Sequence, residues 1–127
     1  MRDLASNIKV VTALSPAVQA ATVNGVAVDT KGFGSCAFVL NTGAIGGSGD
    51  FGAKLQESDA SGSGYTDVVP GDLTGSFEAT AAADATDKVS YIGHKRYVRL
   101  VLTKASGTSI AAGAVAILGH AAERPIA

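Results

Sequence analysis

Two histidines, His94 and His120, one thiol, Cys36, and a few acidic residues in glycine-rich stretches are where this chain could hold chemistry. A hydrolase built on either histidine needs a nucleophile and an orienting acid converging on it. Serines are scattered, and no Gly-x-Ser-x-Gly elbow occurs, Gly47-Ser-Gly falling short of it. Neither histidine lies in a His-x-x-x-His or Cys/His cluster with zinc spacing. Cys36 sits in the apolar run Ser35–Leu40 and is expected to be a buried, inert thiol. Gly32-Phe-Gly34-Ser-Cys-Ala37 has the outline of a dinucleotide-binding turn, but a β-type run follows where that motif needs a helix to open. The glycine-rich stretch Gly43–Gly52 lacks a following Gly-Lys-Ser/Thr, which excludes a phosphate loop and leaves a surface loop. Asp59 and Asp67 frame a polar segment that could hold a weakly bound cation, without the EF-hand spacing. A polar hairpin loop is the simpler expectation there. Glu57 and Glu78 could serve as paired glycosidase carboxylates, yet nothing in the sequence joins them, and both fit solvent-facing strand ends. No catalytic, cofactor-binding or metal-ligating residue is expected, and the chain reads as a non-enzyme.

The elements that would position such groups are strands. Tyr91–Thr103 is the clearest segment: from Arg96 on, Val98, Leu100 and Leu102 alternate with Lys95, Tyr97, Arg99 and Thr103. One face can build a core, and the other combines cations with tyrosines, the residue types favoured as interface anchors. The parity of Arg96 places it on the Val98 side, at the strand edge, turned outward beside His94 or paired with a buried acid. In Phe51–Glu57, Phe51, Ala53 and Leu55 face inward while Lys54 and Gln56 face out. Further strands are expected at Gly25–Thr30, Cys36–Asn41, Thr66–Val69, Leu73–Ala79, Lys88–Ile92 and Gly113–Leu118. Residues 1–14 are expected as an extended N-terminal arm or edge strand, Ala79–Ala85 as a loop, and residues 119–127 as a short C-terminal tail. Short strands separated by turn clusters indicate an all-β sandwich or barrel.

Composition agrees with one domain over residues 1–127. The hydrophobic fraction of 46% is mostly Ala and Val, aromatics are 6% and Trp is absent, so the core is expected to be thin and aliphatic. A formal charge of −1 lacks the basic excess of a free nucleic-acid binder, leaving only a local patch at Lys95, Arg96 and Arg99. One cysteine rules out an intrachain disulfide. No apolar run reaches the length of a signal-peptide core or a membrane span, so a soluble, non-secreted chain without membrane contact is expected.

A further pattern runs nearly the length of the chain: Met1-Arg-Asp-Leu-Ala-Ser-Asn-Ile8, Asn24-Gly-Val-Ala-Val-Asp-Thr-Lys-Gly-Phe33, Ala37-Phe-Val-Leu40, Lys54-Leu-Gln-Glu-Ser-Asp59, Tyr65-Thr-Asp-Val-Val69, Gly71-Asp-Leu-Thr-Gly75, Tyr91–Arg99 and a closing Gly119-His120. It resembles small capsid cement or decoration proteins of tailed bacteriophages and prophages. One departure is Thr66, where relatives can carry a large aromatic. The resemblance implies a single-domain antiparallel β-sandwich of jelly-roll type. It also implies a virion structural role on the exterior of an icosahedral head made in the host cytoplasm, with the major capsid protein as partner. A homodimer or homotrimer is expected, and direct nucleic-acid binding is not. The interface candidates are Arg96, Tyr97 and Arg99 on the strand and Arg2, Leu4 and Ile8 in the arm. The competing readings are a carbohydrate- or receptor-binding module and a neck or tail component. With Tyr65, Tyr91 and Tyr97 as the only tyrosines and no Trp, an aromatic sugar platform would be thin.

Overall fold

A computed structural model describes residues 3–121, which form two antiparallel sheets around one hydrophobic core. In chain order the strands are β1 (Lys9–Gln19), β2 (Val23–Asn24), β3 (Val28–Asp29), β4 (Phe33–Gly46), β5 (Asp50–Ser58), β6 (Thr66–Asp67), β7 (Leu73–Thr74), β8 (Thr86–Tyr91), β9 (Tyr97–Ser106) and β10 (Ser109–Ala121). The first sheet has the order β1-β10-β4-β8-β7; the second has β2-β9-β5-β6, with β3 also on β9. The pairs are nested: β1 with β10, β2 and β3 with β9, β4 with β8, β5 with β6. A long hairpin rolled into two layers pairs its strands this way, so the expected β-sandwich is a jelly roll in topology.

The alternation in β9 holds except at Val101. Val98, Leu100 and Leu102 are fully buried, as are Phe51 and Phe38 in the strands beside and opposite. Phe51 and Leu55 point inward and Ala53 packs against the same cluster, while Lys54 is exposed. Val101, which the alternation assigns outward, is also buried, outside the main cluster and between Asn24 and Lys54 in register. The stretch 79–85 is the expected loop. Ala81 inserts into the core, its N–H donates to the Phe51 carbonyl at 2.7 Å, and Thr42 hydrogen-bonds the carbonyls of Ala82 and Ala85.

Several boundaries move. Residues 9–14 are the first half of an edge strand, not an arm, because β10 supplies hydrogen-bond partners from Lys9 to Gln19. That edge is interrupted by Pro16 and by register shifts at Thr12/Leu14 and Leu14/Ala17, features that block further strand addition. Gly43–Gly46 belongs to β4 and not to a loop, since β10 pairs with β4 along its length. Only Gly47 and Ser48 turn, both at positive φ, closed by Gly49 N–H donating to the Gly46 carbonyl at 3.1 Å, the geometry of a type I′ turn. Gly119–Ala121 continues β10; residues 122–127 of the expected tail, and Arg2, lie outside the described residues. The segments expected at Gly25–Thr30, Thr66–Val69 and Leu73–Ala79 shrink to two-residue strands, because each pairs only briefly.

Candidate functional site

The strand residues that nominated themselves converge on the outer face of the second sheet. Arg99 on β9 stands opposite Gln56 on β5. Its Nε and Nη2 both donate to Gln56 Oε1, at 3.0 and 2.8 Å. Gln56 Nε2 then donates to Asp67 Oδ1 at 2.9 Å, and Lys54 completes the row in an ion pair with Asp67 at 3.1 Å. The guanidinium of Arg99 lies 4.0 Å from the centre of the Tyr65 ring. Burial raises the Tyr65 phenol above its usual range, Arg99 opposes that shift, and nearby Tyr97 adds to it. Arg99 is thus half-buried, held flat by a neutral amide and an aromatic ring, with its charge unmatched by a contacting carboxylate among the described residues. A cation pre-ordered on a ring loses little side-chain freedom when a partner carboxylate arrives.

Arg96 precedes β9 and takes no part in its alternation. The Thr30 side chain and N–H both donate to its carbonyl, at 2.8 and 2.9 Å. Its guanidinium grips Asp29 with two bonds, Nε at 2.9 Å and Nη2 at 2.8 Å, and lies 5.0 Å from the Tyr97 ring centre. That fork holds the Asp29 carboxyl down to about 2, from an ordinary 3.8. A depressed folded-state value means the pair's stabilisation is complete above the unfolded value near 3.8 and is lost as pH falls toward 2. Both side chains are more than 40% exposed, so solvent screening keeps the contribution small. Asp29→Asn should therefore flatten the fall in urea midpoint between pH 4 and pH 2 and change the midpoint at pH 7 only modestly.

The proposed cation pair separates. Asp59 is taken by Lys95 at 2.9 Å and Asp67 by Lys54, and no cluster of three metal-ligating side chains exists among the described residues. Glu57 is not a solvent-facing strand end. It accepts a 2.6 Å hydrogen bond from Tyr91, reaching from β5 in one sheet to β8 in the other, and the same phenol oxygen accepts the Lys95 N–H at 3.0 Å. Burial, with Glu57 next, pushes the Tyr91 hydroxyl well above its ordinary range. Tyr91→Phe would strand both partners at the end of the sandwich; a loss of about 1–3 kcal/mol is expected in chemical denaturation. Gly93 must be glycine to let this ring pass, since a Cβ there would lie 2.5 Å from the Tyr91 hydroxyl.

Cys36 is buried, and desolvation alone pushes its thiol up to about 12, so it is the inert core thiol expected. His94 is exposed in the turn before β9. His120 stands at positive φ at the end of β10, its Nδ1 2.8 Å from Ser35 Oγ. No carboxylate among the described residues hydrogen-bonds that ring, so the pair lacks the orienting acid of a hydrolytic triad.

The outer face of the first sheet carries a signal the sequence reading passed over. Along β10 burial alternates, and the outward positions are Ala111, Gly113, Val115, Ile117 and Gly119. Their neighbours across β4 are Asn41, Val39, Ala37 and Ser35, and across β1 Val10, Thr12 and Val18. Val10, Val18 and Val115 are 54%, 70% and 36% exposed. Leu4 and Ile8 from the N-terminal segment line a depression with Ala37, Ile117 and His120 at one end of this face. The run Ala112-Gly-Ala-Val-Ala-Ile-Leu118 is apolar at both parities, the pattern of a strand covered on both sides, and that was the legible clue.

These features define a jelly-roll β-sandwich whose two outer faces differ, one cationic and aromatic, the other small and aliphatic. No protein-family model and no curated protein matches the sequence. Among solved structures the chain is similar to one in the structure of infectious bursal disease virus Gx strain, with a TM-score of 0.45 and 12% identity over 93% of this chain. The matched region spans 33% of that longer chain.

Proposed function

We propose that this chain is a virion structural protein, a capsid cement or decoration protein that binds the major capsid protein on the outside of an icosahedral phage head. The observation that carries the reading is the Tyr65–Arg99–Gln56 arrangement beside Tyr97: an ordered, unneutralised cation on an aromatic surface, built to receive an acidic group of a protein partner. The sequence pattern from Tyr91 to Arg99 supports the same reading, because the resemblance to decoration proteins is most specific there. A jelly roll suits the role without dictating it. Such a protein acts through linkage: it binds the assembled shell in preference to separated subunits, and many copies raise the shell's melting temperature together. The chain then works as a binding protein without catalysis, in the virion.

Heads of the parent virus stripped of this protein provide the test. Added back, the chain should co-sediment with them and raise their melting temperature. Arg99→Ala should weaken that binding by roughly tenfold or more, the loss of a central anchor. Failure to bind heads, with binding to a neck or tail component instead, overturns the capsid assignment; specific hits on a glycan array would favour a receptor-binding module.

A further inference from the structure

We infer that the outer face of the first sheet is a homodimer interface, on which a second copy of this chain docks sheet to sheet about a two-fold axis. The inference needs no assumption about a shell. In a lone sandwich, solvent-facing strand positions are expected to be polar. The second sheet obeys, with Lys54, Gln56, Arg99 and Thr103 facing out. The first sheet does not. Across β1, β10 and β4 its outward positions are valine, isoleucine, alanine, glycine, threonine, serine and asparagine, without one charge; Lys88 on β8 marks the margin.

Three properties favour a second copy over a foreign partner. The first is charge. A two-fold axis sets a face against itself, so a charge near the axis meets its own kind, and a face without charges avoids that repulsion. A foreign partner selected by charge would find the Arg99 face of the second sheet instead. The second is size. The three strands β1, β10 and β4, at ~4.8 Å spacing and ~35–40 Å of strand length, present ~500–580 Å² of face. Two copies would bury ~1,000–1,150 Å², the lower end of the range for specific interfaces. The third is relief. Small residues at Ala37, Ala111, Gly113 and Gly119 keep the sheet flat enough for a second one to approach to the ~10 Å of face-to-face packing. Val39, Val115 and Ile117 would then sit in the apolar centre, with Thr12, Ser35, Asn41 and Thr86 as a hydrogen-bonding rim.

Sedimentation velocity on the full chain, raised to about 100 µM so that an association of ~10 µM strength is mostly formed, tests this. A species of twice 12.6 kDa is expected. Val115→Lys places like charges near the axis and should return a monomer with an unchanged circular dichroism spectrum; Val39→Lys, on the neighbouring strand, should do the same if the first variant folds poorly. Arg99→Ala should leave the dimer intact, which separates this interface from the shell-binding face. A monomer at the highest concentration, a trimer, or a dimer indifferent to both lysine variants overturns the inference.

Discussion

Replacing Gly25 with alanine should cost about 3–4 kcal/mol of folding stability, a large part of the ~5–15 kcal/mol a domain of this kind possesses. Gly25 stands between β2 and β3, which both pair with β9, at a point where backbone hydrogen bonds tie the two sheets together. Its N–H donates to the Leu100 carbonyl in the second sheet, and the next N–H, of Val26, donates to the Ala13 carbonyl in the first, both at 2.7 Å. A Cβ at position 25 would lie 2.5 Å from the Leu100 oxygen and collide with the Ala13 oxygen as well. Neither obstacle is a side chain that can swing away. Leu100 and Ala13 are fully buried, in the central strand of one sheet and the edge strand of the other, so yielding means separating the layers or breaking both hydrogen bonds. At ~4 °C per kcal/mol for a chain of this size, the melting temperature should fall by roughly 12–16 °C. Gly62→Ala is the control: a Cβ there meets nothing within 4 Å, and a change within about 0.5 kcal/mol is expected. Equal melting of the two variants would show that this tie does not hold the two layers together.

Ties of this kind, between residues far apart in the chain, explain why parts of the sequence were legible and others not. Alternation in β9 and β5 was readable because, Val101 apart, each residue's environment there follows its parity: Leu100 in, Arg99 out. Arg96 escaped that logic. Its position is set by Thr30 and Asp29, more than sixty residues away, and parity cannot register such contacts. The β1 segment was ambiguous for a local reason. Its register shifts put Ala13 and Leu14 both in the core, breaking the period-two pattern and leaving a spacing that also fits a helix. Glycines 43 and 46 read as loop because strand propensity is weak there, yet β4 runs through both, Gly46 paired with Ser109 on β10 and Gly43 standing in the register shift next to Thr42. Of the candidate contacts, Tyr97 and Arg99 were visible as types on one strand face. Tyr65 and Gln56, which order Arg99, were not, because they arrive from β5 and the loop before β6. The aliphatic outer face was written in β10 all along, in a run apolar at both parities.

Phe51→Ala should be the most damaging truncation in the core, at about 4–5 kcal/mol, the upper part of the range for a buried phenylalanine. The reason lies in composition as much as position. Phe51 is fully buried on β5 facing the first sheet, one of only two phenylalanines buried to that degree. The core around it is mostly Ala, Val, Leu and Ile, with Phe38, Tyr91 and Cys36 among them and a single methionine in the whole chain, at position 1. Short and branched side chains lack the reach to collapse into a void, so the cavity term stays close to its full value. The loop over residues 79–85 should respond as well. Ala81 packs into the core and its N–H bonds the Phe51 carbonyl, so losing the ring removes packing beneath the segment that closes this end of the sandwich. Amide exchange at Ala81 should then accelerate beyond what the global destabilisation explains. Phe51→Leu, which keeps most of the volume, should lose only about 1–1.5 kcal/mol and preserve that protection. The exposed neighbour Lys54→Ala, which removes a surface ion pair with Asp67, should change stability by less than about 1 kcal/mol. Urea midpoints for the three variants, with exchange read at Ala81, measure the inward and outward parity of one strand directly. A Phe51→Ala loss no larger than that of Lys54→Ala would mean that β5 does not present Phe51 to the core.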